Sequence, residues 1–327
     1  MNKKTTEYLA LVRQKTGFSD YKIAQKYDIN QSNLSKYSSG KAALSETHAW
    51  LFANILDLDP AEVVANTKYE HAINTGNNTK AIFWQEQLNK IFSDIEPIKI
   101  QIAQFNAIVG DIESNAQKML NLIHDAAELG AHLIVFPELA LTGYPPEDLL
   151  FRDGFITQVN EQIDFLCKSV PSSISVLFGA PNKTNDSLFN SAYCIQKNQI
   201  IHIYNKQELP NYGVFDEKRY FSPGDESFVF ECQKTKIGVL ICEDQWVEGP
   251  ISQLCQYNVD IVISINASPF QSEKHNERLE ICKNYALTFN ISFIYVNMVG
   301  GQDEVVFDGN SFVVNENGEI TLQLPEF

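Results

Sequence analysis

The sequence lacks several motifs that mark common classes of nucleotide- and metal-binding proteins. No G-x-G-x-x-G follows the first predicted strand and no G-x-x-x-x-G-K-[ST] occurs, so a Rossmann cofactor site and a P-loop are unsupported. None of the six cysteines forms a Cys-x-x-Cys pair, which leaves a zinc site or a redox motif without support. We therefore expect a protein without a bound metal or organic cofactor.

Positive charge and long apolar runs are also scarce. The 327 residues include 25 Lys and Arg against 41 Asp and Glu, a formal net charge of −16. Residues 1–69 carry nine basic and seven acidic side chains, which leaves −18 for the remainder. This acidity argues against wide nucleic-acid contact by the C-terminal part, but not against a small DNA-reading module in front. With no signal peptide and no run of roughly 18–20 apolar residues, we expect a cytoplasmic protein with free thiols.

Residues 1–69 are predicted to form a small all-α domain. Ser19 and Asp20 can cap a helix that ends at Tyr27, and a turn separates it from a second, polar helix over residues 31–37. The apolar residues of this pair are those that would anchor a helix-turn-helix, with Leu34 on the inner face of the second helix. In order and spacing the segment resembles the phage-repressor (Cro-like) helix-turn-helix family.

The resemblance implies that four side chains of the second helix face outward and can bond base edges or phosphates: Gln31, Ser32, Asn33 and Lys36. The alternative is that the bundle is an oligomerisation or protein-binding module. DNA binding is the favoured interpretation, although the weak positive charge gives it limited support, because phosphate contact supplies most non-specific DNA affinity.

Residues 70–97 are predicted to be a linker with one amphipathic helix, and the pattern changes after it. The linker helix covers residues 80–92, and residues 93–97 break it. From Ile98 to Phe327, short apolar strands alternate with helices, as in a layered α/β domain. We therefore predict an α/β domain over residues 98–327.

Three chemically distinct side chains in this domain each come directly after a predicted strand. Glu138 follows the apolar run that starts at Leu133, Lys206 follows the run from Ile200, and Cys242 ends the run from Lys236. Cleavage of an amide needs a strong nucleophile, a proton shuttle and a stabiliser for the oxyanion. A thiol, a carboxylate and an ammonium can fill these roles, and the backbone N–H of Glu243 is a natural second donor to the oxyanion.

The sequence words around these side chains resemble the nitrilase (carbon–nitrogen hydrolase) superfamily, and within it the glutaminase domain of glutamine-dependent NAD synthetases. The resemblance covers about residues 98–326. The words that carry it are Phe136-Pro-Glu-Leu139, Thr142-Gly-Tyr-Pro-Pro-Glu-Asp148, Tyr204-Asn-Lys206, Leu209-Pro-Asn-Tyr-Gly-Val-Phe-Asp-Glu217, Arg219-Tyr-Phe221 and Leu240-Ile-Cys-Glu-Asp-Gln-Trp246.

This resemblance implies an αββα sandwich whose Glu–Lys–Cys triad releases ammonia from glutamine through a thioester. The triad would be Glu138, Lys206 and Cys242, with Glu217 as a second glutamate that orients the others. Glu243 stands next to the nucleophile as a supporting residue. The resemblance also implies a homo-oligomer and no metal.

The resemblance further implies which residues hold the substrate. Tyr144 stands where the family lines the glutamine pocket, and Ser268 and Lys274 would hold the amino-acid end. Arg278 competes with Lys274 for the substrate carboxylate. The alternative for Tyr144 and Ser268 is that they only shape turns.

The sequence departs from the synthetase pattern at both ends. About 97 residues precede the first sandwich strand, and no Ser-Gly-Gly-type phosphate loop occurs before Phe327, so we expect ammonia to pass to a separate synthetase or to solvent. Two other interpretations stay open. One is a DNA-binding regulator whose sandwich senses an amide, and the other is a composite of a phage-type protein with part of a synthetase.

Overall fold

The computed structural model describes residues 3–93, 97–184 and 187–327 of the chain. The chain divides into two compact units, residues 1–96 and residues 97–327. No helix in the described part of the chain is long and apolar enough to cross a membrane.

The first unit is built from α-helices joined by short turns. Its helices are α1 (Thr5–Thr16), α2 (Asp20–Lys26), α3 (Gln31–Ser38), α4 (Glu46–Leu56), α5 (Pro60–Asn74) and α6 (Asn78–Ser93). Helix α5 continues to Asn74, past the predicted domain boundary at residue 69, and only a short turn separates it from α6. The predicted linker over residues 70–97 is therefore largely helical and belongs to the first unit, while its predicted break at residues 93–97 falls mostly outside the described residues.

Capping side chains explain where α3, α4 and α5 begin. Asn30 accepts a hydrogen bond from the Ser32 N–H at the start of α3, and Ser45 accepts one from the His48 N–H at the start of α4. Asp59 caps α5 in the same way, with Pro60 at the first helical position. The inner faces of α1 to α5 meet in one apolar core.

The second unit has a mixed α/β fold, as the sequence predicts. Its helices are α7 (Ile112–Glu128), α8 (Asp153–Ser169), α9 (Glu248–Cys255) and α10 (Lys274–Phe289). Its strands are β1 (Ile100–Ile102), β2 (Leu133–Val135), β3 (Ser175–Thr184), β4 (Ser187–Gln196), β5 (Gln199–Asn205), β6 (Phe228–Cys232), β7 (Thr235–Ile241), β8 (Ile261–Asn266), β9 (Ser292–Asn297), β10 (Val299–Gln302), β11 (Val305–Asp308), β12 (Phe312–Val314) and β13 (Ile320–Gln323).

Two sheets form the centre of this unit. The first has the order β1-β2-β3-β4-β5, with β1, β2 and β3 parallel and the rest antiparallel. The second has the order β13-β12-β9-β8-β7-β6, with β7, β8 and β9 parallel. Strands β10 and β11 form a separate hairpin.

Three apolar clusters show how the layers stack. Leu177 and Tyr204 of the first sheet share a core with Val239 and Ile263 of the second, so the two sheets face each other. The outer face of the first sheet packs on α7 and α8, and the outer face of the second packs on α9 and α10. The central strands of each sheet are thus buried on both faces, which explains why β2 and the later part of β7 are continuous apolar runs.

Candidate active site

Glu138 lies at the end of the segment that follows β2 and is 1% exposed. Its Oε1 accepts hydrogen bonds from the Asn190 side-chain amide and from Lys206 Nζ, both at 2.7 Å. Its Oε2 accepts a hydrogen bond from the backbone N–H of Ala267 at 2.8 Å. Three donors therefore fix the carboxylate of Glu138, one from within β4 and two that directly follow β5 and β8.

Lys206 follows β5 and is fully buried. Besides Glu138, its Nζ contacts Glu217, with Oε1 at 2.8 Å and Oε2 at 2.9 Å. Burial lowers the pKa of this ammonium, but the two carboxylates outweigh burial and hold its pKa well above the usual range. Lys206 is thus a permanent cation between two glutamates.

Glu217 stands in a 3₁₀ turn (Glu217–Arg219) and is almost fully buried. It also accepts a hydrogen bond from Tyr144 Oη at 3.0 Å. Burial raises the pKa of Glu217 to about 7, although Lys206 opposes the shift. Burial and the nearby carboxylates also raise the pKa of Tyr144 well above its ordinary value, so the phenol stays protonated and can donate.

Cys242 begins a 3₁₀ turn (Cys242–Gln245) directly after β7. Its backbone adopts a φ of 45°, in the left-handed region that residues other than glycine seldom occupy. The side chain is 4% exposed. Such strain at the end of a strand is found where a structure presents a reactive side chain.

The charges of the two glutamates and of Lys206 all act on the Cys242 thiol. Burial raises its pKa, Glu138 raises it further, and Lys206 opposes both, leaving the pKa well above the ordinary value of a thiol. The resting sulfur is therefore a neutral thiol. A nucleophile in this state needs a base beside it to remove its proton.

A comparison with protein families identifies residues 99–327 as a carbon–nitrogen hydrolase domain. The chain belongs to the carbon–nitrogen hydrolase family. This chain is an amide-hydrolysing enzyme of that family.

Curated relatives narrow the likeness to one group of carbon–nitrogen hydrolases. The glutamine-dependent NAD(+) synthetase of Acinetobacter baylyi is 42% identical over 234 residues, which cover 71% of this chain and 43% of the relative. That of Thermotoga maritima is 38% identical over 226 residues, covering 68% and 39%. The chain spans less than half the length of these relatives.

Solved structures agree with this grouping. Glutamine-dependent NAD+ synthetase from Acinetobacter baumannii superposes with a TM-score of 0.68 at 44% identity, covering 70% of this chain and 44% of that one. An amidase from Nesterenkonia sp. superposes with a TM-score of 0.63 at 21% identity, covering 70% and 86%. The second likeness shows the fold alone.

Three groups in or beside this hydrolase site are absent from the sequence prediction. These are the Asn190 amide and the Ala267 N–H, which bond Glu138, and the buried carboxylate of Asp244. Asn190 lies inside an antiparallel strand and gives no local signal. Asp244 stands only two residues after Cys242 in the sequence word Cys242-Glu-Asp-Gln-Trp246, and this separation is a local signal that points to it.

The residues predicted to bind substrate differ in how the structure uses them. Tyr144 contacts Glu217, as described above. Ser268 is buried, and its N–H donates to Asn297 Oδ1 at 2.9 Å. The ammonium of Lys274 lies 3.9 Å from the centre of the Trp246 ring, close to the turn that bears Cys242, and it also pairs with a neighbouring carboxylate.

Arg278 and Glu243 both have protein partners. The guanidinium of Arg278 is fully buried, donates to both oxygens of Asp308 at 3.0 Å, and also donates to the carbonyls of Ser268 and Pro269. The carboxylate of Glu243 accepts from the Tyr212 hydroxyl at 3.0 and 3.1 Å. Arg278 is therefore committed to holding the loop after β8, which disfavours it as the ligand of a substrate carboxylate.

In the first unit, α3 places all four predicted DNA-contacting side chains on its exposed side. Leu34 and Tyr37 fill the opposite, buried side. Within the residues that the structure describes, no three His, Cys, Asp or Glu side chains group as ligands for a metal ion.

Proposed function

We propose that this hydrolase releases ammonia from the side chain of glutamine through a covalent intermediate on Cys242. The observation that carries the proposal is the fully buried Lys206 ammonium, 2.7 Å from Glu138 and 2.8 Å from Glu217, whose charge also acts on the Cys242 thiol. A buried cluster of this kind costs desolvation energy and is weak as a stabilising device, so its presence beside a strained cysteine favours a catalytic role.

In the acylation step, Glu138 takes the proton of the Cys242 thiol as sulfur attacks the carboxamide carbon. Lys206 and the backbone N–H of Glu243 stabilise the negative oxygen that forms. The carbon–nitrogen bond breaks while Glu138 returns the proton to nitrogen, so ammonia leaves and a glutamyl thioester remains on Cys242.

In the deacylation step, Glu138 removes a proton from a water molecule, which attacks the thioester carbonyl. The carbon–sulfur bond breaks, glutamate leaves, and the sulfur regains a proton. Glu217 orients Lys206 throughout and, with a pKa near 7, is partly protonated at neutral pH. The net reaction consumes one water and needs no metal or organic cofactor.

Glutamine is proposed as the substrate because the relatives that cover most of this unit are glutamine-dependent enzymes. Tyr144 would line the pocket for its side chain, and Ser268 and Lys274 would hold its amino-acid end. We further propose that a synthetase accepts the ammonia, and that the enzyme acts in the cytoplasm as a homo-oligomer.

The test is ammonia release by the full chain from glutamine, compared with asparagine and simple amides. We expect turnover with glutamine at the highest kcat/KM and none above background in Cys242→Ala. Cys282→Ala is the matched control, because Cys282 is a fully buried thiol packed between α10 and the second sheet. Turnover that survives Cys242→Ala would refute the assignment of Cys242 as the nucleophile, and a preference for another amide would refute glutamine as the substrate.

We also propose that the first unit reads DNA as a helix-turn-helix, with α3 in the major groove. The exposed row of Gln31, Ser32, Asn33 and Lys36 on α3 supports this proposal. Gel-shift binding by the full chain should weaken steeply with salt and require Lys36, whereas Lys234→Ala in the second unit should have no effect. Absence of any gel-mobility shift of DNA at low salt would refute the DNA-binding proposal.

A further inference from the structure

Asp244 is a fully buried carboxylate, two residues after Cys242, to which the proposed mechanism gives no task. Its Oδ1 accepts hydrogen bonds from the backbone N–H groups of Gln207 at 3.0 Å and Glu208 at 2.8 Å. Its Oδ2 accepts from the Tyr204 hydroxyl at 2.8 Å and from the Ile241 N–H at 3.0 Å. Every partner is a donor, so the ionised carboxylate is the form that satisfies the set.

The four donors belong to two elements of the proposed catalytic machinery. Tyr204, Gln207 and Glu208 flank Lys206 where β5 of the first sheet ends, while Ile241 immediately precedes Cys242 where β7 of the second sheet ends. One side chain therefore ties the strand end that bears the ammonium to the strand end that bears the thiol.

We propose that Asp244 is a positioning residue that holds Lys206 and Cys242 at their working separation. The inference rests on the proposed function, because it assumes that these two side chains act together. The clamp bonds the backbone beside each of them, and it contributes no atom to the reaction.

The substitution Asp244→Asn changes the charge and the hydrogen-bonding capacity of the side chain but hardly its size. Each oxygen of Asp244 accepts two hydrogen bonds, so an amide nitrogen in place of either oxygen would face two donors without being able to accept from them. Tyr204 can turn its hydroxyl to accept, but the Ile241, Gln207 and Glu208 N–H groups cannot. The variant is nearly isosteric, so its effect reports the hydrogen bonds rather than a cavity.

Tyr204→Phe removes only one of the four hydrogen bonds to Asp244, and Tyr193→Phe is its matched control. Both tyrosines are buried in neighbouring strands of the first sheet, and each hydroxyl donates to one acceptor. Tyr193 bonds the Pro181 carbonyl on the opposite face, away from Asp244.

The experiment measures the alkylation rate of Cys242 by iodoacetamide, located by peptide mass spectrometry, together with kcat and KM for glutamine and the melting temperature. For Asp244→Asn we expect kcat to fall about 100-fold with KM nearly unchanged, since about 1 Å of misplacement has this effect. Alkylation should slow about tenfold, because a displaced Lys206 stabilises less thiolate. Tyr204→Phe should show smaller losses of the same kind, and Tyr193→Phe none.

Unchanged alkylation and kcat in a folded Asp244→Asn protein would overturn the clamp. If that variant does not fold, equal rates for Tyr204→Phe and Tyr193→Phe would overturn it, and a slower Tyr204→Phe would support it. Alkylation needs no turnover. A wild-type protein that releases no ammonia, yet shows slowed alkylation in Asp244→Asn, would therefore retain the clamp and refute the proposed function instead.

Discussion

Removal of the Lys206 ammonium is the perturbation whose cost the structure defines best. Lys206→Met keeps much of the side-chain volume but leaves Glu138 and Glu217 buried, with side-chain exposures of 1% and 5%, without their shared cation. Breaking a buried pair by removing one partner costs about 3–5 kcal/mol. We expect a loss of this size in the free energy of unfolding at pH 8, where protonation relieves the unpaired carboxylates least.

The loss should shrink as the pH falls. Carboxylates that have lost their cation bind protons more readily, and a protonated carboxyl is less costly to bury. At pH 5 we therefore expect Lys206→Met to lie closer to the wild type than at pH 8. The direction of this change distinguishes an electrostatic loss from a simple packing defect, which would be the same at both pH values.

Denaturant unfolding measured at the two pH values provides the assay. In a background with Trp50 and Trp84 replaced by Phe, the remaining Trp246 reports the second unit alone. Lys183→Met is the control, because its ion pair with Asp153 is exposed and should contribute no more than about 1 kcal/mol. A Lys206→Met protein within about 1 kcal/mol of the wild type at pH 8 would refute the reasoning.

Three further predictions concern single contacts around the site. Native Glu217 keeps its proton up to a pKa of about 7, whereas the unfolded chain releases it near 4.5. Rising pH between these two values therefore lowers the free energy of unfolding of the wild type but not of Glu217→Gln. Unfolding titrations should show the variant gaining on the order of 3 kcal/mol relative to the wild type across this pH range, and a difference that does not change with pH would contradict the prediction. Arg278→Met should lower the free energy of unfolding by about 3–5 kcal/mol, because it leaves the buried Asp308 without its ion-pair partner. The double variant Arg278→Met/Asp308→Leu should recover part of this loss, and effects of the two substitutions that simply add would contradict an interaction between them. In Gly179→Ala, the new Cβ would fall 2.8 Å from the Glu138 Cα, so kcat for ammonia release should fall about tenfold, whereas Gly154→Ala, with open space around it, should match the wild type.

Local patterns in the sequence were enough to predict most of the second unit. The three apolar runs predicted as strands before Glu138, Lys206 and Cys242 are present as β2, β5 and β7. Strand β10 was not predicted, because its Gly300-Gly301 pair is a weak signal for a strand. The start of the predicted linker belongs to helix α5 instead, since burial of the later turns of α5 is a tertiary effect.

The candidate site also has residues that the sequence predicts and residues that it does not. Glu138, Lys206 and Cys242 were predicted as site residues because each follows an apolar run and stands in a sequence word that resembles the carbon–nitrogen hydrolases. The Asn190 amide and the Ala267 N–H could not be predicted, because their contacts with Glu138 depend on which strands converge. Arg278 looked available to a substrate carboxylate only because its ion pair with Asp308 joins residues far apart in the chain.

The central claim is that one sulfur atom takes the acyl group of glutamine, and affinity labelling tests it most directly. The full chain is incubated with a γ-diazoketone analogue of glutamine, which alkylates a nucleophile bound in the glutamine pocket, and the modified peptide is identified by mass spectrometry. The account predicts label on Cys242 and on no other cysteine, and protection by excess glutamine. Label on another residue, or ammonia release that continues after Cys242 is fully modified, would contradict it.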